Sequence, residues 1–315
     1  MEGYPKALRS LAAAGLLALC GSGCAWLRPP PQPMLPQALP PSPSLEQVTQ
    51  VVNNNSSQIH SFSTDEATLF VKNVPGAPSL RTSIAFERPR RLRLRSGTGI
   101  TGVELDVGSN DELFWIWIKR QPPLYYCRHD QFATSPARQM VPIEPEWLIE
   151  ALGITGFDPA LRHEGPSFGP GGRLEIRTFR ETLDGPTTKI TTIDAATGAV
   201  VQQRLYDHQG ALVAQATAEQ HRLDPLTGLI MPRILAIECP RAQFSIRVDL
   251  GRVRINPPPG VSPELWTMPS FQGWPTVDLG NPNQGPAPIY PPAAPPARLS
   301  SRPNPPHRNW NRMPY

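Results

Sequence analysis

The chain has 315 residues, of which 41 are proline, and a formal net charge of +4. Eight prolines fall in residues 29–43 and seventeen in residues 257–315, whereas residues 44–256 hold 23 basic and 23 acidic residues. Because proline-dense segments build neither helices nor strand ladders, a single globular domain filling the whole chain is excluded. The lack of a Gly-X-Y repeat excludes a collagen, and the neutral middle section argues against a nucleic-acid-binding protein.

The N-terminal residues are typical of a secretory signal. Lys6 and Arg9 precede nine mostly apolar residues, Leu11 to Leu19, which are too few to cross a bilayer as a helix. We therefore expect a signal peptide over residues 1–23.

Small residues lead from this signal to Cys24. The arrangement resembles the lipobox of bacterial lipoproteins, in which the cysteine is diacylated, with chains such as palmitate, and becomes the mature N-terminus. Ala25 stands where an aspartate would retain such a protein in the inner membrane, so the resemblance implies an outer membrane lipoprotein facing the periplasm. An ordinary cleaved signal is the alternative.

The proline distribution predicts how the rest of the chain is organised. Residues 24–43 are expected to form a lipid anchor and a stiff proline-rich tether, and residues 281–315 a proline-rich disordered tail. Residues 44–280 are then the folded domain. Its two cysteines, Cys127 and Cys239, either pair in a disulfide or remain separate buried thiols, and their spacing leaves both options open.

Hydrophobic periodicity predicts the elements of this domain in chain order. Ser44 caps a helix of about three turns with apolar residues at 45, 48, 51 and 52. Period-two alternation then predicts strands over 67–71, 79–86, 91–95, 102–107, 113–118 and 124–128. A short helix over 145–152 precedes further strands over 173–180, 187–194, 199–206, 212–221, 234–238 and 244–255. The glycine-containing turns between strands favour an antiparallel meander. We predict a mainly β fold (α+β), a strongly curved antiparallel sheet or incomplete β-barrel with a few covering helices.

Three arginines alternate with two leucines over Arg91–Arg95. Strand geometry places the arginines on one face and the leucines on the other. We expect a solvated outer face here, with an anion-binding patch as the alternative.

Two short segments match known functional motifs, but the residues around them do not predict the secondary structure that each motif requires. Residues 97–102 fit G-x-G-x-x-G, but a strand-like segment follows where a dinucleotide site needs a helix, so a glycine-rich hairpin is expected. Residues 165–169 fit G-x-S-x-G, but Pro166 and Pro170 indicate a loop, and a hydrolase using Ser167 is a disfavoured alternative. The six histidines lack the spacing of zinc ligands. We expect no catalytic residues, no metal and no cofactor.

Four segments occur together in order: the opening amphipathic helix, residues 84–94, residues 103–117, and residues 259–278 at the end of the domain. They resemble the LolA- and LolB-like periplasmic lipoprotein-carrier superfamily. The resemblance implies an incomplete barrel lidded by helices around an apolar cavity for acyl chains. Arg88, followed by Pro89, stands where the arginine of the soluble carrier bonds the lid and controls its opening. The receptor of this superfamily is itself a lipoprotein. One motif differs from the superfamily pattern, because Asp106-Val-Gly108 stands where Asp-Gly is usual. Residues 73–79 are a candidate for the receptor's protruding loop.

A cavity for fatty chains needs apolar side chains on one face of the sheet. The candidate wall residues are Leu69, Val71, Ile84, Phe86, Leu92, Leu94, Leu105, Phe114, Ile116, Ile118, Ile234 and Ile246. The alternative is that they fill an ordinary core. The favoured function is a non-catalytic, membrane-anchored envelope lipoprotein that binds acyl chains or lipoproteins, with no nucleic-acid partner. The alternatives are a structural or interaction lipoprotein whose tail contacts the cell wall or an envelope protein, and a sensor on the same fold.

Overall fold

The computed structural model describes residues 34–72, 79–135, 137–140, 144–258 and 262–281. The predicted signal peptide, Cys24, nearly all of the candidate loop 73–79 and the tail from residue 282 lie outside the described residues. In the part of the chain that is described, no helix is long and apolar enough to cross a bilayer.

The described residues contain four α-helices. The first, α1 (Leu45–Ser57), precedes the strands, and α2 (His129–Phe132), α3 (Ala137–Met140) and α4 (Pro145–Ala151) lie between two runs of strands. The first helix begins where the sequence predicts. Ser44 Oγ accepts a hydrogen bond from the backbone N–H of Gln47, and the Gln47 side chain accepts one from the N–H of Ser44. This reciprocal capping satisfies two donors and fixes the start of α1.

Seventeen strands follow in chain order. They are β1 (Ser61–Val71), β2 (Leu80–Glu87), β3 (Arg91–Thr98), β4 (Gly102–Ser109), β5 (Leu113–Ile118), β6 (Gln121–Arg128), β7 (Arg162–Gly169), β8 (Arg173–Thr182), β9 (Gly185–Asp194), β10 (Val200–Tyr206), β11 (Leu212–Glu219), β12 (Arg222–Leu223), β13 (Ile230–Met231), β14 (Ile234–Cys239), β15 (Phe244–Asp249), β16 (Arg254–Ile255) and β17 (Thr276–Asp278). Fifteen of them form one sheet in the order β17-β6-β5-β4-β3-β2-β1-β15-β14-β11-β10-β9-β8-β7, with β16 beside β1. All pairs are antiparallel except β17 with β6. The predicted mainly β fold is confirmed.

Two strand predictions need correction. The segment around Ser167 is strand β7 at a sheet edge and not a loop, because a bulge between Glu164 and Ser167 accommodates Pro166. The predicted strand over 244–255 is two strands, since Gly251 at φ +61° turns the chain between them.

The sheet has a covered face and an outer face. Cross-strand partners share a face, and Ile84, Leu94, Val107, Ile116 and Tyr125 are successive partners from β2 to β6. These residues lie on the face that the helices cover, which we call the covered face. The sheet also has a tip end, with turns at 99–101, 119–120, 183–184 and 240–243, and a helix end, with turns at 88–90 and 110–112.

The helices pack on the covered face through their apolar side chains. Ile149 and Leu152 of the α4 segment join Phe86 in one buried cluster. Val48 and Val52 of α1 join strand residues of β8 and β9 in another. Leu39 is 2 % exposed in the second cluster, and its N–H bonds Ala196 O at 3.1 Å. The end of the predicted tether is therefore part of the folded domain, because it supplies an apolar side chain to the core.

The outer face of β3 to β6 is covered by a C-terminal strap, residues 262–274, which leads into β17 at the sheet edge. Trp117 stacks on Phe271 of the strap with ring centroids 3.9 Å apart and meets Trp274 edge-on at 5.4 Å. Arg93 donates to the carbonyls of Leu265 and Thr267 at 3.1 and 2.7 Å. The expectation of a solvated arginine face is therefore wrong at Arg93, which is 7 % exposed.

A buried ion pair supports this strap. Arg93 Nη2 lies 2.7 Å from Asp106 Oδ2, and Trp115 Nε1 donates to Asp106 Oδ1 at 3.1 Å. Gly108 explains the displaced glycine of the hairpin motif: a Cβ there would lie 2.0 Å from the Trp115 ring. The indole can therefore reach Asp106 only across a glycine.

The two cysteines are free and buried, so the disulfide option is not realised. Cys127 lies on β6 and Cys239 on β14, with six strands between them in the sheet, whereas a disulfide needs Cα atoms within about 7 Å. Burial raises the pKa of both thiols, that of Cys239 to about 11.

We predict that Asp106→Asn lowers the free energy of unfolding by about 3–5 kcal/mol, because it leaves the buried Arg93 guanidinium without its counter-charge. Urea unfolding of the full chain measures this. Asp111→Asn is the matched control. Asp111 pairs at 2.5 Å with Arg91, which lies on β3 like Arg93, but the side chain of Asp111 is 51 % exposed. The control should cost less than about 1 kcal/mol. Equal losses for the two variants would contradict the assignment of Arg93 and Asp106 as the support of the strap.

Candidate functional site

The register places eleven of the twelve predicted wall residues on the covered face. The exception is Ile234. Its neighbour Leu235 pairs with Val248, and Val248 pairs with Leu69 on the covered face, so Ile234 points to the outer face. The prediction for Ile234 is wrong because the strand begins there and gives too little alternation to assign its phase.

The eleven residues fall into two sets. The buried set comprises Leu69, Ile84, Phe86, Leu92 and Phe114. Leu69 pairs with Leu80 toward the tip end, and the other four lie between the middle of the sheet and the helix end. The half-buried set comprises Val71, Leu94, Leu105, Ile116, Ile118 and Ile246. The alternative of an ordinary core therefore holds for the first set, whereas the second set keeps part of its apolar surface accessible.

Five half-buried side chains form a continuous apolar strip across three adjacent strands. We define the apolar strip as Leu94, Leu105, Val107, Ile116 and Ile118. Val107 is the member that the sequence prediction omits, although it alternates with Leu105. Adjacent strands lie about 4.8 Å apart, so the strip is wide enough for an extended hydrocarbon chain to lie across it.

The strip lies toward the tip end of the sheet. Leu105 and Ile118 pair with each other two residues closer to the tip than Val107 and Ile116. The turn between β3 and β4 carries Ile100, which is 97 % exposed. The 97–102 glycine motif is thus a hairpin, as predicted, and its tip presents an apolar side chain.

Arg88 ties α1 to the sheet at the helix end. Its Nη2 donates to Ser56 O at 2.6 Å and its Nε donates to Ile59 O at 2.9 Å. Ser56 lies in the last turn of α1, where carbonyl groups lack partners within the helix. Burial lowers the pKa of the guanidinium. Pro89 follows in the turn to β3, so the position of Arg88 is set by the β2–β3 hairpin.

A charged cavity of about 320 Å³ lies on the covered face over β8 to β11, at the tip end. Trp147, Leu205 and Val213 form its apolar part. Two ion pairs cross it: Arg180 to Glu144 and Lys189 to Glu150, both at 2.5 Å.

A second cavity of about 240 Å³ lies between α1 and strands β10 and β11, toward the helix end. Gln203 on its wall donates to Thr155 Oγ1 at 2.9 Å. His221 bonds Val200 O at 2.9 Å, and burial lowers the pKa of its imidazole. None of the twelve predicted wall residues lines either cavity.

The residues of the G-x-S-x-G motif are not joined as a nucleophile and a base. Ser167 Oγ donates to Glu175 O at 3.4 Å, whereas His163 bonds Thr178 Oγ1 and the carbonyl of Asp158. Among the described residues, no three or more His, Cys, Asp or Glu side chains are grouped so that they could hold a metal ion.

The charged cavity is the feature that the sequence prediction missed. Its strand residues continue the covered face of β8, where Leu174 and Ile176 are followed by Thr178 and Arg180 at the same parity. This change from apolar to polar side chains on one face was the available signal. The helix residues Glu144 and Glu150 gave no comparable pattern.

Comparison with known proteins rests on structure, because no protein-family model and no curated protein matches the sequence. A domain from Vibrio parahaemolyticus assigned to outer membrane lipoprotein sorting matches with a TM-score of 0.51 and 10 % identity, over 70 % of this chain and 94 % of that one. A DUF1329 family protein from Desulfovibrio piger matches with a TM-score of 0.49 and 11 % identity, over 71 % and 97 %. A LolA superfamily protein from Nitrosomonas europaea has a TM-score of 0.46 and 8 % identity, over 72 % and 99 %.

The Vibrio domain is similar to this chain over nearly its full length, at an identity too low to indicate more than architecture. The resemblance to lipoprotein carriers is thereby confirmed at the level of the fold. The chain has the same fold as the lipoprotein-sorting domain from Vibrio parahaemolyticus.

Proposed function

We propose that the protein is a non-catalytic envelope lipoprotein that binds the acyl chains of lipids or lipoproteins on its covered face. The observation that carries this proposal is the apolar strip, whose side chains stay half-buried although each lies beside a packed core. The fold shared with a sorting domain favours the same role. Binding by this surface needs no proton transfer and no metal.

The energy of such binding comes from hydrocarbon burial. Each methylene removed from water contributes about 0.8 kcal/mol. Because association itself costs about 4 kcal/mol or more, most of a sixteen-carbon chain such as palmitate must be buried for micromolar affinity.

The tip end supports contact with a membrane. Ile100 at the β3–β4 turn is apolar and almost fully exposed. Lys119 and Arg120 lie in the neighbouring β5–β6 turn, and Arg120 is 84 % exposed. An apolar side chain flanked by cations suits an interface rich in anionic lipid. We propose outer membrane anchoring through acylated Cys24, with the tip end receiving acyl chains from the bilayer.

Arg88 is proposed to control access by holding α1 on the sheet. Its two bonds join the β2–β3 hairpin to the last turn of the helix. Breaking them would free the C-terminal end of α1 and the following Ile59, which packs in the same buried cluster as Ile84 and Phe86.

We predict that Ile116→Asn lowers the affinity of the full chain for a fluorescent palmitate analogue about tenfold or more, because a polar amide replaces the centre of the apolar strip. Fluorescence titration measures this. Ile190→Asn is the matched control, since Ile190 is also a half-buried strand isoleucine but pairs with Arg177 and Arg204 on the outer face. Its affinity should stay unchanged. Failure of the unmodified chain to bind the analogue would overturn the proposed function.

We predict that Arg88→Gln raises amide hydrogen exchange over residues 54–61 by about ten- to a hundredfold, because two charge-assisted bonds to carbonyls are lost. Exchange followed by mass spectrometry measures this. Arg91→Gln serves as the control, since Arg91 bonds only carboxylates in the same hairpin region. Protection that is unchanged in Arg88→Gln would show that Arg88 does not hold α1.

A further inference from the structure

The charged cavity is lined by side chains of both signs. Arg138 with Asp184 and Arg241 with Asp207 form ion pairs in its lining, at 2.7 and 2.5 Å, and two more pairs cross it. Glu144 and Glu150 come from the α4 side, whereas Arg180 and Lys189 come from β8 and β9. Each cation meets one carboxylate at 2.5 Å, and the side chains of Lys189 and Glu150 are only 15 % and 24 % exposed. The two cations can bind an anionic group, and the two carboxylates can bind a cationic group a few ångströms away.

The cavity also has an apolar floor that continues toward the apolar strip. Trp147 is 5 % exposed on this floor, and its Nε1 has no hydrogen-bond partner among the described residues. Ile246 packs against the cluster of Trp147 and also against the cluster that Leu94 and Leu105 border. Packed apolar side chains therefore connect the border of the strip with the floor of the charged cavity.

We infer that the charged cavity binds the zwitterionic head group of an amphiphile whose acyl chain lies on the apolar strip. This inference rests on the proposed function and adds the chemical class of the ligand. A volume of about 320 Å³ equals about ten waters at 30 Å³ each, which suits a phosphoethanolamine group.

The preference for a zwitterion follows from charge balance. A ligand with one anion and one cation inserts between the walls by exchanging partners: its anion meets Arg180 and Lys189, and its cation meets Glu144 and Glu150. Every partly buried charge keeps a counter-charge. A purely anionic head group would pair with the cations and leave two glutamates unpaired, so it binds less well.

The experiment compares two lipids that carry one palmitoyl chain each, palmitoyl lysophosphatidylethanolamine and palmitoyl lysophosphatidylglycerol, by calorimetric titration of the full chain below their micelle concentrations. A long chain is needed because the charged cavity and the apolar strip lie several strands apart in the sheet. We expect the zwitterionic lipid to bind about threefold to fivefold more tightly, the range of one partly exposed ion pair. In the double variant Glu144→Gln with Glu150→Gln, the cavity gains net positive charge, and the preference should reverse in favour of the anionic lipid.

Asp194→Asn is the matched control, because Asp194 pairs with Arg173 at 2.9 Å in the same two strands but at the helix end, outside the cavity. It should keep the preference of the unmodified chain. An unmodified chain without a preference, or a double variant whose preference is unchanged, would overturn the head-group site while leaving acyl binding intact. Failure of both lipids to bind the unmodified chain would overturn acyl binding as well, and Ile116→Asn should weaken both lipids equally.

Discussion

The structure depends on one mismatch between a wide sheet and few helices. Fourteen strands follow one another in the sheet, which at about 4.8 Å per step gives a face roughly 60 Å across. The helices that cover it have 13, 4, 4 and 7 residues. They bury the apolar side chains beneath them and leave the apolar strip of β3 to β5 half-covered. Contact between water and the side chains of the strip is unfavourable, and this is the physical basis of the acyl-chain binding that we propose for this face.

The outer face solves the same problem in a different way. There the chain supplies its own cover, the C-terminal strap, and anchors it with polar contacts to backbone carbonyls. Arg93 reaches two carbonyls of the strap, and Asn110 donates to a third, that of Trp266, at 3.1 Å. These bonds carry direction, whereas the apolar contacts of the covered face do not. The strap thus covers the outer face of β3 to β6, whereas the apolar strip on the other face has no such cover among the described residues.

Local patterns predicted the strands well, because alternation and turn residues act over a few positions. Strand β5 matches its predicted bounds, and the capped start of α1 follows directly from Ser44. Contacts between distant segments were not predictable in this way. The burial of Arg93 depends on a strap some 170 residues later in the chain. The charged cavity likewise needs α4 to approach β8 and β9, and no spacing within either segment indicates that approach.

The two edges of the sheet limit strand pairing between copies of this chain. One edge is closed by β17, which runs parallel to β6 and is only three residues long. The other is β7, where Pro166 lacks an N–H and a bulge follows Glu164. Neither edge offers a long, flat row of free donors and acceptors to a neighbouring copy. Copies of the domain at high local concentration can therefore leave the apolar strip exposed without pairing edge to edge.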